Sequence, residues 1–211
     1  MVTILLSLLA LFSAVIHITA EYSHKRRRVY VFKPLTTLLI LLIVVQSTAP
    51  VSVTYKYVIL VGLLFSLTGD IFLMLPSDKF VAGLVSFLGA HIFYTVAFTL
   101  EAGFYTSLTG LLPFVIYGGV MYRLLAPHLG QLKVPVIIYM AVIMIMAWQA
   151  TGQWLQTGHV GTLLAFIGAI LFVVSDSILA LDRFRRHFWS AALIILGTYY
   201  TAQWLIALSV K

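Results

Sequence analysis

GLLFSLTGDIFLML, residues 62–75, sets the terms for the whole chain, because it places a carboxylate inside an apolar run. Asp70 lies six residues before Pro76, where the run ends. At ~1.5 Å of rise per residue it sits roughly 9 Å inside a helical span. A carboxylate at such depth costs at least ~2.5 kcal/mol on insertion scales, so its presence calls for a function. A second stretch, GAILFVVSDSILAL at 168–181, repeats the arrangement with Asp176. Both read glycine, seven residues, aspartate, two residues, leucine, one residue, leucine. We expect the fold to bring the two aspartates together.

Composition places the chain in the bilayer. Hydrophobic residues make up 62% and charged residues 9% of its 211 positions, where a soluble domain carries roughly 25% charged. Apolar runs fall at about 2–20, 30–46, 53–75, 80–100, 107–125, 134–150, 160–181 and 188–209. The sequence therefore predicts an all-α, polytopic transmembrane helical bundle of about eight spans. No length remains for a soluble domain, so residues 1–211 form a single integral membrane domain and any chemistry lies in the bundle. The absence of cysteine excludes disulfides, thiol catalysis and thiolate metal sites. No small-residue cleavage pattern closes the first run, which is read as a retained helix.

The net charge of +7 is read as topology rather than as affinity for nucleic acid. Eleven Lys and Arg residues fall in the odd-numbered connections and two, Lys56 and Lys211, on the other side. The positive-inside rule then puts the odd loops in the cytoplasm and both termini outside, in a bacterial inner or plasma membrane. Segments three and seven run in the same direction, which sets both aspartates in the cytoplasmic half. They are 106 residues apart, and each is followed 24 positions later by a tyrosine, Tyr94 or Tyr200. We read the halves, 1–106 and 107–211, as a parallel four-plus-four repeat about the membrane normal, facing segment three towards segment seven.

For either aspartate alone, hydrogen bonding between helices is an adequate role; two at one depth favour a site. Two close carboxyls in low dielectric do not both ionise readily, which supplies an acid and a base together. His91 and Tyr94 form H-x-x-Y on one face of segment four. Asp70, Asp176 and His91 are the ligands available to a zinc ion, with His17 a further candidate, but a lone helical histidine is more often a packing residue. No metal and no cofactor are read from the sequence. In segment eight, Tyr199, Tyr200, Gln203 and Trp204 lie mid-span, and Tyr200 and Gln203 share a face as a polar wall. Trp148, Gln149 and Gln153, near the outer end of segment six, are assigned to an interface belt or the surface. Lys33 enters the membrane beside Pro34 at a helix start. It can reach a phosphate or an aspartate, although snorkelling to the interface is its default. Arg183, Arg185 and Arg186 follow Asp176 within about three turns, placed for a lipid headgroup or simply for orientation. The basic cluster at 25–28 sets orientation and attracts anionic membrane lipids. Asp78 and Glu101 fall in loops and receive no role.

In these motifs the chain resembles the YhhN-type, or lysoplasmalogenase, family. The resemblance runs from KPLTT at 33–37 to YYTAQWLI at 199–206, through GLLFSLTGDIFLML, FLGAHIFYTVAF at 87–98 and GAILFVVSDSILAL. It implies a multi-spanning hydrolase of lysoplasmalogens, a lysophospholipid substrate, cleaved at the vinyl ether to a fatty aldehyde and a glycerophospho-ethanolamine or -choline. Such hydrolysis begins by protonating an alkene carbon, after which water attacks the oxocarbenium ion. On that implication Asp70 and Asp176 act as acid and base, in either assignment. His91, Tyr94, Tyr200 and Gln203 orient water and substrate, and Lys33, Arg183 and Arg186 hold the phosphate. Other readings remain. Intramembrane acids in a repeated architecture also suit a proton-coupled carrier of a small molecule or lipid, although these acids lie towards one side and few helices carry internal Gly/Pro breaks. Gly69-Asp70 prompts an intramembrane aspartyl protease, but the Tyr-Asp and Pro-Ala-Leu elements are missing. A purely structural role leaves the two acids unexplained. The sequence does not give an oligomeric state.

Overall fold

Apolar runs of this length fold as helices because a helix satisfies every backbone polar group within its own segment. The structure is a computed structural model, and it describes all residues except 49, 78 and 101. Asp78 and Glu101, read as loop residues, lie outside the described residues. Among the described residues there are eight α-helices and no strand: α1 Val2–Tyr22, α2 Arg26–Val45, α3 Val53–Met74, α4 Phe80–Leu100, α5 Leu108–Leu125, α6 Lys133–Thr157, α7 Val160–Phe184 and α8 Ala191–Leu208. Each is long and apolar enough to cross a membrane, α5 and α6 together with the short 3-10 turns joining them. The chain is an integral membrane protein.

Two boundaries differ from the sequence reading. Helix α2 begins at Arg26 rather than near 30, so Pro34 lies inside it and not at its start. A helix tolerates Lys and Arg in the turn that leaves the membrane, and Pro34 deprives only the Tyr30 carbonyl of its i+4 donor. Helix α6 continues past 150 to Thr157 and stops at Gly158, whose φ of 66° forms a left-handed cap. The polar residues that seemed to end α6 are buried: Trp148, Gln149 and Gln153 are 6%, 1% and 2% exposed. They are not an interface belt. Gln149 accepts from the Tyr105 backbone N–H at 2.8 Å and donates to its carbonyl at 3.1 Å. The amide thereby satisfies the connection between α4 and α5, which has no ladder of its own.

Helices pack principally as sequential neighbours, α1 with α2, α3 with α4 and α7 with α8, while α4 also crosses α6 and α2 also crosses α8. The first glycine of each repeated stretch makes a close approach. Gly62 lies under the Tyr94 ring of α4, and a Cβ at Gly168 would stand 2.9 Å from the Ala202 carbonyl of α8. Helices α3 and α7 are not principal neighbours. The expected face-to-face arrangement of segments three and seven is therefore not how the bundle packs. Helices α4 and α8, held tightly by those glycines, take the positions beside them.

Candidate functional site

The structure gives the two aspartates separate partners. Asp70, on α3, is 1% exposed. Its Oδ2 accepts from Thr37 Oγ1 of α2 at 2.6 Å and from Tyr199 OH of α8 at 2.7 Å. Lys33, one turn before Thr37 on α2, is buried at 9% exposure rather than extended to the interface. Close by, Tyr200 OH pairs with His17 Nδ1 at 2.8 Å, and His17 Nε2 lies 3.2 Å from Glu21 Oε1. A chain of exchangeable protons accordingly links the α1–α2 end to the neighbourhood of Asp70.

Asp176, on α7, has a different setting. Its Oδ2 accepts from Tyr139 OH of α6 in a short hydrogen bond. His91 Nε2 of α4 stands 3.9 Å from the same oxygen, too far for a hydrogen bond. His91 is fully buried, its ring edge-on to Phe172 and to Tyr139 at 4.6 and 5.3 Å between centroids. Among the described residues neither His91 ring nitrogen has a hydrogen-bond partner. Buried imidazoles without partners are uncommon and invite a polar ligand.

Aromatic rings stand between the two clusters. Phe172 packs edge-on against both His91 and Tyr199, and Phe87 packs edge-on against Tyr199 at 5.7 Å. Among the described residues no hydrogen bond joins one carboxyl to the other. Tyr94 donates to Gln203 Oε1 at 2.7 Å, while Tyr200 turns to His17. The expected shared walls therefore divide: His91 stands near Asp176, Tyr94 bonds to Gln203, and Tyr200 and Gln203 bond to different helices.

A mainly apolar cavity of about 60 Å³ lies beside Asp176, and its lining reaches the end of the bundle that carries the odd loops. Asp176, Tyr139 and Ser177 are its polar wall, and Leu73, Phe87 and Met144 are among its apolar lining. Asp70 does not line it. Near its outer end the Arg183 guanidinium lies 4.3 Å over the ring of Phe80, another lining residue. Arg186 is exposed one turn further on. Among the described residues no group of His, Asp and Glu is arranged to hold a metal ion.

Tyr139 and Thr37 are the contacts that the sequence reading missed. Thr37 lies four residues after Lys33, on the same face of α2, and that spacing was a usable signal. Tyr139 interrupts an apolar run in α6, but nothing local says that its hydroxyl meets a helix almost forty residues later.

The sequence itself has relatives among known proteins. Residues 29–210 match the YhhN family, and the chain belongs to it. The uncharacterized membrane protein YhhN of Escherichia coli O157:H7 is 29% identical over 199 residues, covering 93% of this chain and 94% of that one. Lysoplasmalogenase TMEM86A of Bos taurus is 40% identical over 156 residues, which cover 72% of this chain and 64% of the bovine one. Lysoplasmalogenase TMEM86B of Homo sapiens is 37% identical over 150 residues, 70% of this chain and 61% of that one. The chain spans somewhat under two thirds of these mammalian relatives. No solved structure matches it.

Proposed function

We propose that the protein is a membrane-embedded hydrolase that cleaves the vinyl-ether bond of lysoplasmalogens, releasing a fatty aldehyde and a glycerophospho-ethanolamine or -choline. The observation that carries this reading is Asp176 on the wall of an apolar cavity, held by Tyr139 and facing an unpartnered His91. The names of the mammalian relatives point to the same chemistry.

In the proposed reaction the alkenyl chain lies in the cavity with its ether oxygen towards the odd-loop end. The protonated Asp176 gives its proton to the alkene carbon distal to the oxygen, and an oxocarbenium ion forms. Tyr139, donating to Oδ2, fixes the rotamer so that the other oxygen carries the proton inward. A water held by a His91 nitrogen attacks the cationic carbon, and the resulting hemiacetal expels the glycerol oxygen as an alcohol. The proton released by water restores Asp176, so the sum is alkenyl ether plus water to aldehyde plus alcohol. The Asp176 carboxylate faces the cation while it lives, which lowers the barrier in a dry site. Arg183 receives the phosphate at the cavity mouth, with Arg186 beyond it.

Asp70 then does a different job. It joins α2, α3 and α8 through Thr37 and Tyr199. The pairing supports reading the halves 1–106 and 107–211 as repeats. Asp70 is met from α2 and α8, and Asp176 from α6 and α4, the same positions four helices on. The charge bias supports an orientation with the odd loops, and hence the cavity mouth, in the cytoplasm.

The test is aldehyde release from alkenyl-lysophosphatidylethanolamine by purified protein in liposomes. Release by wild type and not by Asp176→Asn supports the hydrolase and its acid. Lipid flux without aldehyde would instead identify a carrier.

A further inference from the structure

Cavity and membrane meet at a second place. Helix α5 packs mainly on α6, and 11% of its span is buried against 50% for α6. Between the two helices runs an apolar groove of about 410 Å³, floored by Gly118 and Gly119 of α5 and walled by Phe114, Ile137, Met140 and Met144. Met140 and Met144 also line the cavity beside Asp176. Two unbranched methionine side chains are therefore all that both spaces have in common. Methionine changes shape at little cost and is suited to a wall that must yield.

We propose that this groove is a lateral portal, through which the hydrocarbon chain of the lysolipid slides from the bilayer between α5 and α6, past Met140 and Met144, to Asp176. The proposal rests on the hydrolase reading for the identity of the reacting bond, but the occupant, a single hydrocarbon chain from the membrane, follows from the groove. Its lining is apolar and includes the exposed Val115, Ile137 and Ile145, and Met140 and Met144 line both it and the space beside Asp176. A chain that entered by the odd-loop end would cross water, and each methylene exposed on the way is unfavourable. A sideways path keeps the chain in hydrocarbon throughout. Two features of α5 let it move: Gly119 has open space where a side chain would be, and Pro113 removes the donor for the Thr109 carbonyl. The lysolipid, with one chain rather than two, is the form that such a slot admits.

The natural chain has no cysteine, so a disulfide can lock the portal without side reactions. A Cβ at Gly118 stands 3.5 Å from Met144 Cγ, which puts Gly118→Cys and Met144→Cys within bridging reach. In liposomes, oxidation of this double variant should lower the ratio of long-chain to short-chain alkenyl-lysolipid turnover by roughly tenfold, and dithiothreitol should restore it. An unchanged ratio in fully bridged protein overturns the portal. Met144→Trp, which narrows the same place without a crosslink, should raise KM for the long-chain substrate and leave its kcat less affected. A lysophospholipid with a diazirine at the chain end needs no turnover. It should label α5 and α6 in the reduced protein and lose that labelling on oxidation. Labelling elsewhere, or labelling indifferent to the bridge, defeats the portal. Absent aldehyde with bridge-sensitive labelling would defeat the hydrolase reading and leave the portal standing.

Discussion

Asp70 and Asp176 occupy the same place in a repeated phrase of sequence, and the structure gives them opposite surroundings. Asp70 is sealed, accepting a hydroxyl hydrogen bond from each of two helices. Asp176 has one hydroxyl on one oxygen, a histidine just beyond hydrogen-bond range and a cavity at its side. Fully satisfied buried polar networks rigidify a bundle; partly satisfied ones leave capacity for a ligand. The depth of a carboxylate in the membrane therefore says that it matters, and its unspent hydrogen-bonding capacity says what for.

Breaking that contrast at its strongest point gives the largest expected effect. Asp176→Asn should lower turnover by about 10²–10⁴-fold, the usual contribution of a general acid, with the melting temperature nearly unchanged. Asp70→Ala should show the reverse balance. It strips the acceptor from Thr37 and Tyr199 together, at about 1–3 kcal/mol for each buried group left unpaired. Its cost should therefore appear as a lower melting temperature in detergent, with the activity of the molecules that remain folded falling far less than for Asp176→Asn. Equal loss of turnover in both variants, at equal stability, would return the two acids to a single catalytic pair.

A smaller effect sharpens the Asp176 side alone. Tyr139→Phe removes the hydroxyl that orients the carboxyl and keeps the ring edge-on to His91. We expect roughly a tenfold loss in kcat with KM little changed, since the contact acts on the reacting group and not on the lipid tail. His91→Gln keeps a polar group that can hold water, and should retain more activity than His91→Leu. Identical kinetics for the two would remove His91 from water positioning.

These contrasts also mark how far the sequence could be read. Eight spans, the shared depth of the two acids and the burial of His91 follow from hydropathy and from a few polar letters in apolar runs, because the bilayer enforces one simple rule on every segment. The partners of each acid do not. Tyr139 meets Asp176 from 37 residues away and Tyr199 meets Asp70 from 129, and both contacts depend on helix neighbourhood, which hydropathy does not encode. Trp148, Gln149 and Gln153 show the same blindness in reverse. Their polarity suggested a surface, whereas Gln149 spends its amide on the Tyr105 backbone inside the protein.

The smallest effect concerns the headgroup. The family resemblance implies Lys33, Arg183 and Arg186 for the phosphate, but Lys33 is buried and does not line the cavity, and the two arginines differ in what lies beneath them. Arg183, itself exposed, rests on the ring of Phe80 at the cavity lining, which holds its guanidinium beside the mouth. Arg186 is exposed, with water and salt to screen it. Arg183→Ala should raise KM for the lysolipid several-fold, on the order of 1 kcal/mol of lost binding, with kcat maintained. Arg186→Ala should stay within about twofold, as exposed charges commonly do. The KM effect of Arg183→Ala should weaken against an alkenyl substrate that lacks phosphate. If it does not, the arginine acts through the shape of the cavity mouth and its seat on Phe80, and the phosphate is held elsewhere.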